Sequence, residues 1–170
     1  MESTEIMDAT IFGYTRDGLF MQQALEEAKH AAMCGEIPVG AVVVDQDGNI
    51  VSRAHNSVEK DHSQVSHAEM KALSQAGSLR GDWRLNNHWL YVTLEPCTMC
   101  RGLINLSRIS GLVYGTSSPI HGSQLDNINY PSPKEYGLIV ISGILQEQSE
   151  RLLKNFFKNR RMGHDVKSKK

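Results

Sequence analysis

A chain of 170 residues with 18 basic and 19 acidic side chains has a formal charge of −1, so its totals advertise neither a strongly basic nor a strongly acidic binding partner. That length suits one domain with a sizeable core, and no break in composition divides it. Three cysteines are too few and odd in number for a disulfide framework. No stretch approaches a membrane span and no apolar leader opens the chain, which makes the cytoplasm the expected compartment.

Residues 1–15 are expected to be a loosely ordered lead-in to a domain over 16–161. From Asp17 a helix is predicted, because Phe20, Ala24, Ala28 and Ala31 recur at helical spacing with Glu26, Glu27 and Lys29 on the other side. Gly35 stops it, with Cys34 at its end. Residues 39–45 read as a buried strand, 46–49 as a hairpin turn and 50–54 as the return strand. Polar residues 56–66 read as loop, followed by a helix over 66–75. A strand over 89–94, a helix over 97–106 and strands over 112–116 and 138–142 complete the pattern. Residues 117–137, rich in Ser, Pro, Asn and Gly, form a longer connection than a turn needs. Part of it is expected to line the approach to a site or a subunit contact. A last helix from Gln146 carries Leu152, Leu153, Phe156 and Phe157, then becomes basic at Lys154, Lys158, Arg160 and Arg161. Residues 162–170 are a basic tail. Alternating helices and strands argue a three-layer α/β/α domain around one mixed sheet of about five strands.

The chemistry concentrates in two short segments, His67-Ala68-Glu69 and Pro96-Cys97-Thr98-Met99-Cys100. Two cysteines separated by two residues can grip one metal ion, and His67 would be a third ligand. A structural zinc site takes four protein ligands, whereas a catalytic one stops at three and keeps a place for water. Pro96 favours a helix start, where a thiol is more readily ionised. Residues i and i+2 do not share a helix face, but they can converge on a point beyond the helix end. The zinc is therefore expected between two helix N-termini, with Glu69 beside the bound water as general base and then general acid. Cysteine spacing alone leaves a redox pair or half of a zinc knuckle open. A non-ligand carboxylate at Glu69 is what a purely structural site does not need.

An H-x-E segment followed by P-C-x-x-C is the signature of zinc deaminases. The chain resembles the cytidine deaminase superfamily, and most closely its bacterial tRNA adenosine deaminases. Further residues carrying the likeness are Glu36-Ile37-Pro38-Val39-Gly40-Ala41-Val42, Asn56, the strand leading into Thr93-Leu94-Glu95, and Asn155-Phe156-Phe157-Lys158. The resemblance spans roughly residues 19–161. It implies one zinc per chain, a homodimer, and an anticodon stem-loop of tRNA as partner, with the wobble adenosine converted to inosine. It further implies that Asn56 meets the target nucleoside, with Pro38 and Val39 along the pocket wall and Ala68 among the substrate contacts.

The chemistry alone leaves the substrate open between RNA and a free base or nucleoside such as guanine, cytosine or cytidine. RNA is favoured by the local positive charge around Arg160, which a phosphate backbone needs, and by Phe157 beside it as a stacking surface. Two segments depart from the family pattern. Gln64-Val65-Ser66 replaces the usual Pro-Thr-Ala, and residues 116–123 lack the usual charged stretch.

Overall fold

The computed structural model describes residues 10–123 and 137–167, with side chains to residue 161. Its elements are α1 (Tyr14–Met33), β1 (Gly40–Val44), β2 (Ile50–His55), α2 (Val58–Asp61), α3 (Ala68–Arg80), β3 (Trp89–Leu94), α4 (Thr98–Leu106), β4 (Gly111–Thr116), β5 (Ile139–Ser142) and α5 (Gln146–Lys167). The sheet runs β2-β1-β3-β4-β5. β1 is antiparallel to both of its neighbours, whereas β3, β4 and β5 are parallel. Among the described residues, four strands therefore point one way and β1 opposes them.

Period-two alternation sends each strand's side chains to two cores. Ala41, Val43, Leu90, Val92, Leu112 and Tyr114 meet the residues of α3 and α4 on one face. Val42, Val44, Trp89, Tyr91 and Val113 meet Phe20, Met21 and Ala24 of α1 on the other. Burial of β1 and β4 on both faces is why they read as unbroken apolar runs. α1 lies very close to β1, since a Cβ on Gly40 would strike the backbone of Ala24 and Ala28.

β2 contains a bulge. Its pairing with β1 slips between Val43 and Val44, leaving Val51 without an opposite number. Ile50 accordingly packs with the α1 core and Val51 with the α3 core. Beyond the bulge, Ser52 bonds the Ala72 carbonyl of α3, while Arg53 and His55 turn toward α1 and bond Gln23 and Glu27.

Sequence and structure differ in several places. Residues 58–61, expected as loop, form the one-turn helix α2. α3 continues past Gln75 to Arg80 and stops at Gly81, whose φ of 72° is the left-handed cap that glycine adopts easily. Within the stretch expected as a lead-in, Thr10 is buried and Phe12 stacks edge-on against Phe20 and Trp89. Thr10 donates its backbone N–H and its hydroxyl to the buried Asp17 carboxylate, which also accepts from the Tyr91 hydroxyl at 2.7 Å. A buried carboxylate needs donors, and these come from the preceding turn and from β3. α5 begins at Gln146, as its spacing predicts; Lys169 and Lys170 lie outside the described residues.

Candidate active site

The connection leaving β3 carries Cys97, that leaving β4 carries Ser118, and that leaving β2 carries Asn56. Because these strands are co-directional, their carboxyl ends open on one side of the sheet, where α/β folds place ligands. The segment entering the opposed strand β1, Glu36 to Val39, reaches the same side. Together they wall a cavity of about 650 Å³.

At the cavity wall stand two helix N-termini. His67 is the N-cap of α3 and Cys97 the N-cap of α4, both with extended backbone. Their carbonyls accept the first helical bonds, from Lys71 and Arg101. An N-cap side chain leaves along the helix end rather than its flank, and that departure lets His67 and Glu69 converge on one place despite their spacing. His67 Nδ1 lies 3.4 Å from Cys100 Sγ and 3.7 Å from Cys97 Sγ. All three donor atoms fall within 4.8 Å of one another.

The thiols compete for one proton. Donation from Cys100, with His67 beside it, holds the Cys97 thiol down at about 4. Cys100 is pushed up instead, by its bond to the Cys97 sulfur and by burial. His67 is raised, chiefly by its hydrogen bond with Cys97. A cation placed among these atoms would remove the repulsion that keeps one thiol protonated. Two sulfurs and an imidazole nitrogen are a donor set that suits zinc.

Glu69 is 4% exposed and lines the cavity, and burial raises its pKa. Asn56 is buried at the cavity wall, where its amide nitrogen donates to Glu36 at 3.3 Å and its backbone N–H to the Val39 carbonyl at 2.9 Å. Val39 lines the cavity, as does Arg160 at the far rim.

Three residues implicated by the sequence do not line it. Val39 N–H donates to the Ile37 carbonyl, closing a three-residue turn about Pro38. Ile37 and Val39 thus face the cavity while Pro38 is buried behind them. Ala68 is fully buried in the α3 core. Phe157 is 42% exposed and packs edge-on against Phe156, over whose ring the Arg160 guanidinium sits at 5.6 Å.

Two carboxylates at the site escape sequence reasoning. Glu36, 2% exposed, accepts not only from Asn56 but from the backbone N–H groups of Glu59 and Lys60 at 3.3 and 2.8 Å. It therefore holds Asn56 and α2 in one arrangement. Glu95 accepts the Ser118 N–H at 3.0 Å, and a Cβ on Gly122 would strike its carboxylate. Glu95 thereby ties down the loop after β4, whose Ser118, Ile120 and His121 line the cavity. The rest of that loop, 124–136, lies outside the described residues. The signal available was two acidic residues inside otherwise apolar motifs, an expensive placement unless bonded.

Glu36→Gln is expected to keep the fold and raise KM roughly tenfold, since a hydrogen bond to a charged group is worth about 1.5–3 kcal/mol. Steady-state kinetics with zinc content measured alongside checks this. An unchanged KM would mean that Glu36 does not position Asn56 for substrate.

The model of the cytidine and deoxycytidylate deaminase zinc-binding region matches residues 14–116. The chain belongs to this family. The Bacillus subtilis (strain 168) tRNA-specific adenosine deaminase is 41% identical over 149 residues, covering 86% of this chain and 92% of the relative. A solved structure from work on A-to-I editing by tRNA:A34 deaminases at the wobble position is 35% identical, with a TM-score of 0.69. The match covers 79% of this chain and 99% of that one. A guanine deaminase from Nitrosomonas europaea shares the fold, with a TM-score of 0.74 and coverage of 92% and 97%, at 20% identity. Zinc is the family's metal, and His67, Cys97 and Cys100 present donors fit to hold it. Among the described residues, no helix is long and apolar enough to cross a membrane.

Proposed function

We infer that this deaminase converts the wobble adenosine of tRNA to inosine. The observation that carries the reading is the buried Glu69 carboxylate in the cavity wall beside the converging His67, Cys97 and Cys100 donors. Similarity over 79–86% of the chain to tRNA adenosine deaminases supports the substrate and does not favour the free-base alternative.

In this reading His67, Cys97 and Cys100 hold the ion. Zinc, when bound, supplies Lewis acidity and a nucleophile at neutral pH. Glu69 takes a proton from the attacking water and delivers it to the ring nitrogen beside the adenine C6. It then carries the proton of the new C6 hydroxyl to the departing amine. The C6–N bond breaks, ammonia leaves, and the new carbonyl makes inosine. Asn56, held by Glu36, offers its remaining amide groups to the nucleoside, while Val39 and Ile37 give the base an apolar wall.

A cavity of about 650 Å³ has room for a nucleoside but not for a stacked helix. The target base must therefore leave its stack, at least cost in an unpaired loop such as the anticodon. In this reading Arg160, which lines the cavity, meets a phosphate, and the partly exposed Phe157, outside the cavity lining, stacks on a neighbouring base. We propose further that the enzyme works as a cytoplasmic homodimer, as the resemblance implies, which sedimentation equilibrium in solution tests.

The RNA reading is tested by neutralising Lys158, Arg160 and Arg161 together. Affinity for an anticodon stem-loop should fall, and the slope of log affinity against log salt should flatten by roughly 0.7–0.9 for each phosphate no longer neutralised. Zinc content should not change. An unaltered salt slope would remove α5 from the RNA-binding surface.

A further inference from the structure

On the sheet face covered by α1, away from the cysteine pair, Glu27, His30 and His55 bring three ligand-type atoms within 4.8 Å of one another. His55 Nδ1 lies 2.9 Å from Glu27 Oε2, and His30 Nδ1 lies 3.8 Å from the same oxygen. The imidazole planes are inclined by 76° with centroids 6.1 Å apart, so both rings turn a nitrogen toward one carboxylate without stacking.

Two independent features build this arrangement. Glu27 and His30 are one turn apart on α1, which places them side by side. His55 arrives from the edge strand β2 because the bulge at Val51 reverses the facing of the residues after it. With regular pairing His55 would point toward α3 and no third donor would be present.

We propose that Glu27, His30 and His55 form a second zinc site, distinct from the His67–Cys97–Cys100 centre. Two imidazoles and a carboxylate are an established zinc donor set that leaves a fourth position for water. Ligand atoms about 2.0–2.2 Å from a tetrahedral ion stand about 3.3 Å apart. The two observed distances to Glu27 lie on either side of that value. His30 is the most exposed of the three, so it can complete the site by a side-chain adjustment and leave the ion a solvent path. The ion would pin the edge strand to α1. His55 ends β2 and Asn56 follows it, so the pinned strand end is the one that carries Asn56 into the cavity.

Zinc-loaded protein titrated with further zinc chloride by calorimetry, with metal analysis after gel filtration, tests the site. The wild-type chain is expected to take up about two zinc ions, and both His30→Gln and the His30→Gln, His55→Gln pair about one. The retained first equivalent reports that each variant is folded. Cobalt added to the zinc-loaded protein should give visible d–d absorption without a thiolate charge-transfer band, because no sulfur is among these ligands. A single equivalent in the wild type would overturn the proposal, as would a second equivalent that survives in the double variant.

Discussion

Glu69→Ala is expected to keep its zinc and its fold and to lose nearly all turnover. General acid–base catalysis alone contributes ~10²–10⁴-fold, and a carboxylate that moves protons at two steps should stand at the upper end or above. The substitution also removes a buried ionisable group whose charged form is disfavoured by its surroundings, so the fold need not weaken with it. Inosine formation in an anticodon stem-loop, read beside metal content and Tm, separates the two effects. Activity near the wild-type value would show that another group carries the protons. Loss of zinc together with activity would instead make Glu69 part of the metal site.

The second large effect is on the metal itself. Cys97→Ser and Cys100→Ser should each lower zinc from about one equivalent at this centre toward none, because a hydroxyl replaces the thiolate that zinc favours. Metal binding free energy is also folding free energy. A destabilisation of about 3 kcal/mol or more corresponds to a fall in Tm of roughly 6–12 °C for a chain of this size. The Cys100 variant should be the less stable of the two, since Cys100 is fully buried and Cys97 is not. Stoichiometric zinc at the centre in the doubly substituted protein would remove both cysteines from the ligand set.

Both predictions rest on short motifs in the sequence. His67 and Glu69 stand within one short motif, and Cys97 and Cys100 within another. Their convergence depends on helix starts that the sequence announces through Pro96 and the His-x-Glu spacing. The N-cap geometry of His67 and Cys97 then follows from local backbone preference. Burial on both faces was equally legible in β1, which its apolar run marks.

Sequence by itself thus determined the layered α/β class, the order of the strands and longer helices, and the two short motifs that hold His67, Glu69, Cys97 and Cys100, because each depends on short-range periodicity or spacing. Tertiary structure decided what crosses between segments. The partners of Asp17 lie at Thr10 and Tyr91, and those of Glu36 at Asn56, Glu59 and Lys60, so neither carboxylate shows its role until the chain has folded. Pro38 turns away from the cavity because of the tight turn about it, and Arg160 reaches the rim because α5 packs where it does. A single bulged residue in β2 sets which way His55 points. Side-chain facing has a period of two along a strand, so one inserted residue reverses everything after it. Hydrophobic pattern carries no trace of that slip in a strand as short and mixed as Ile50–His55.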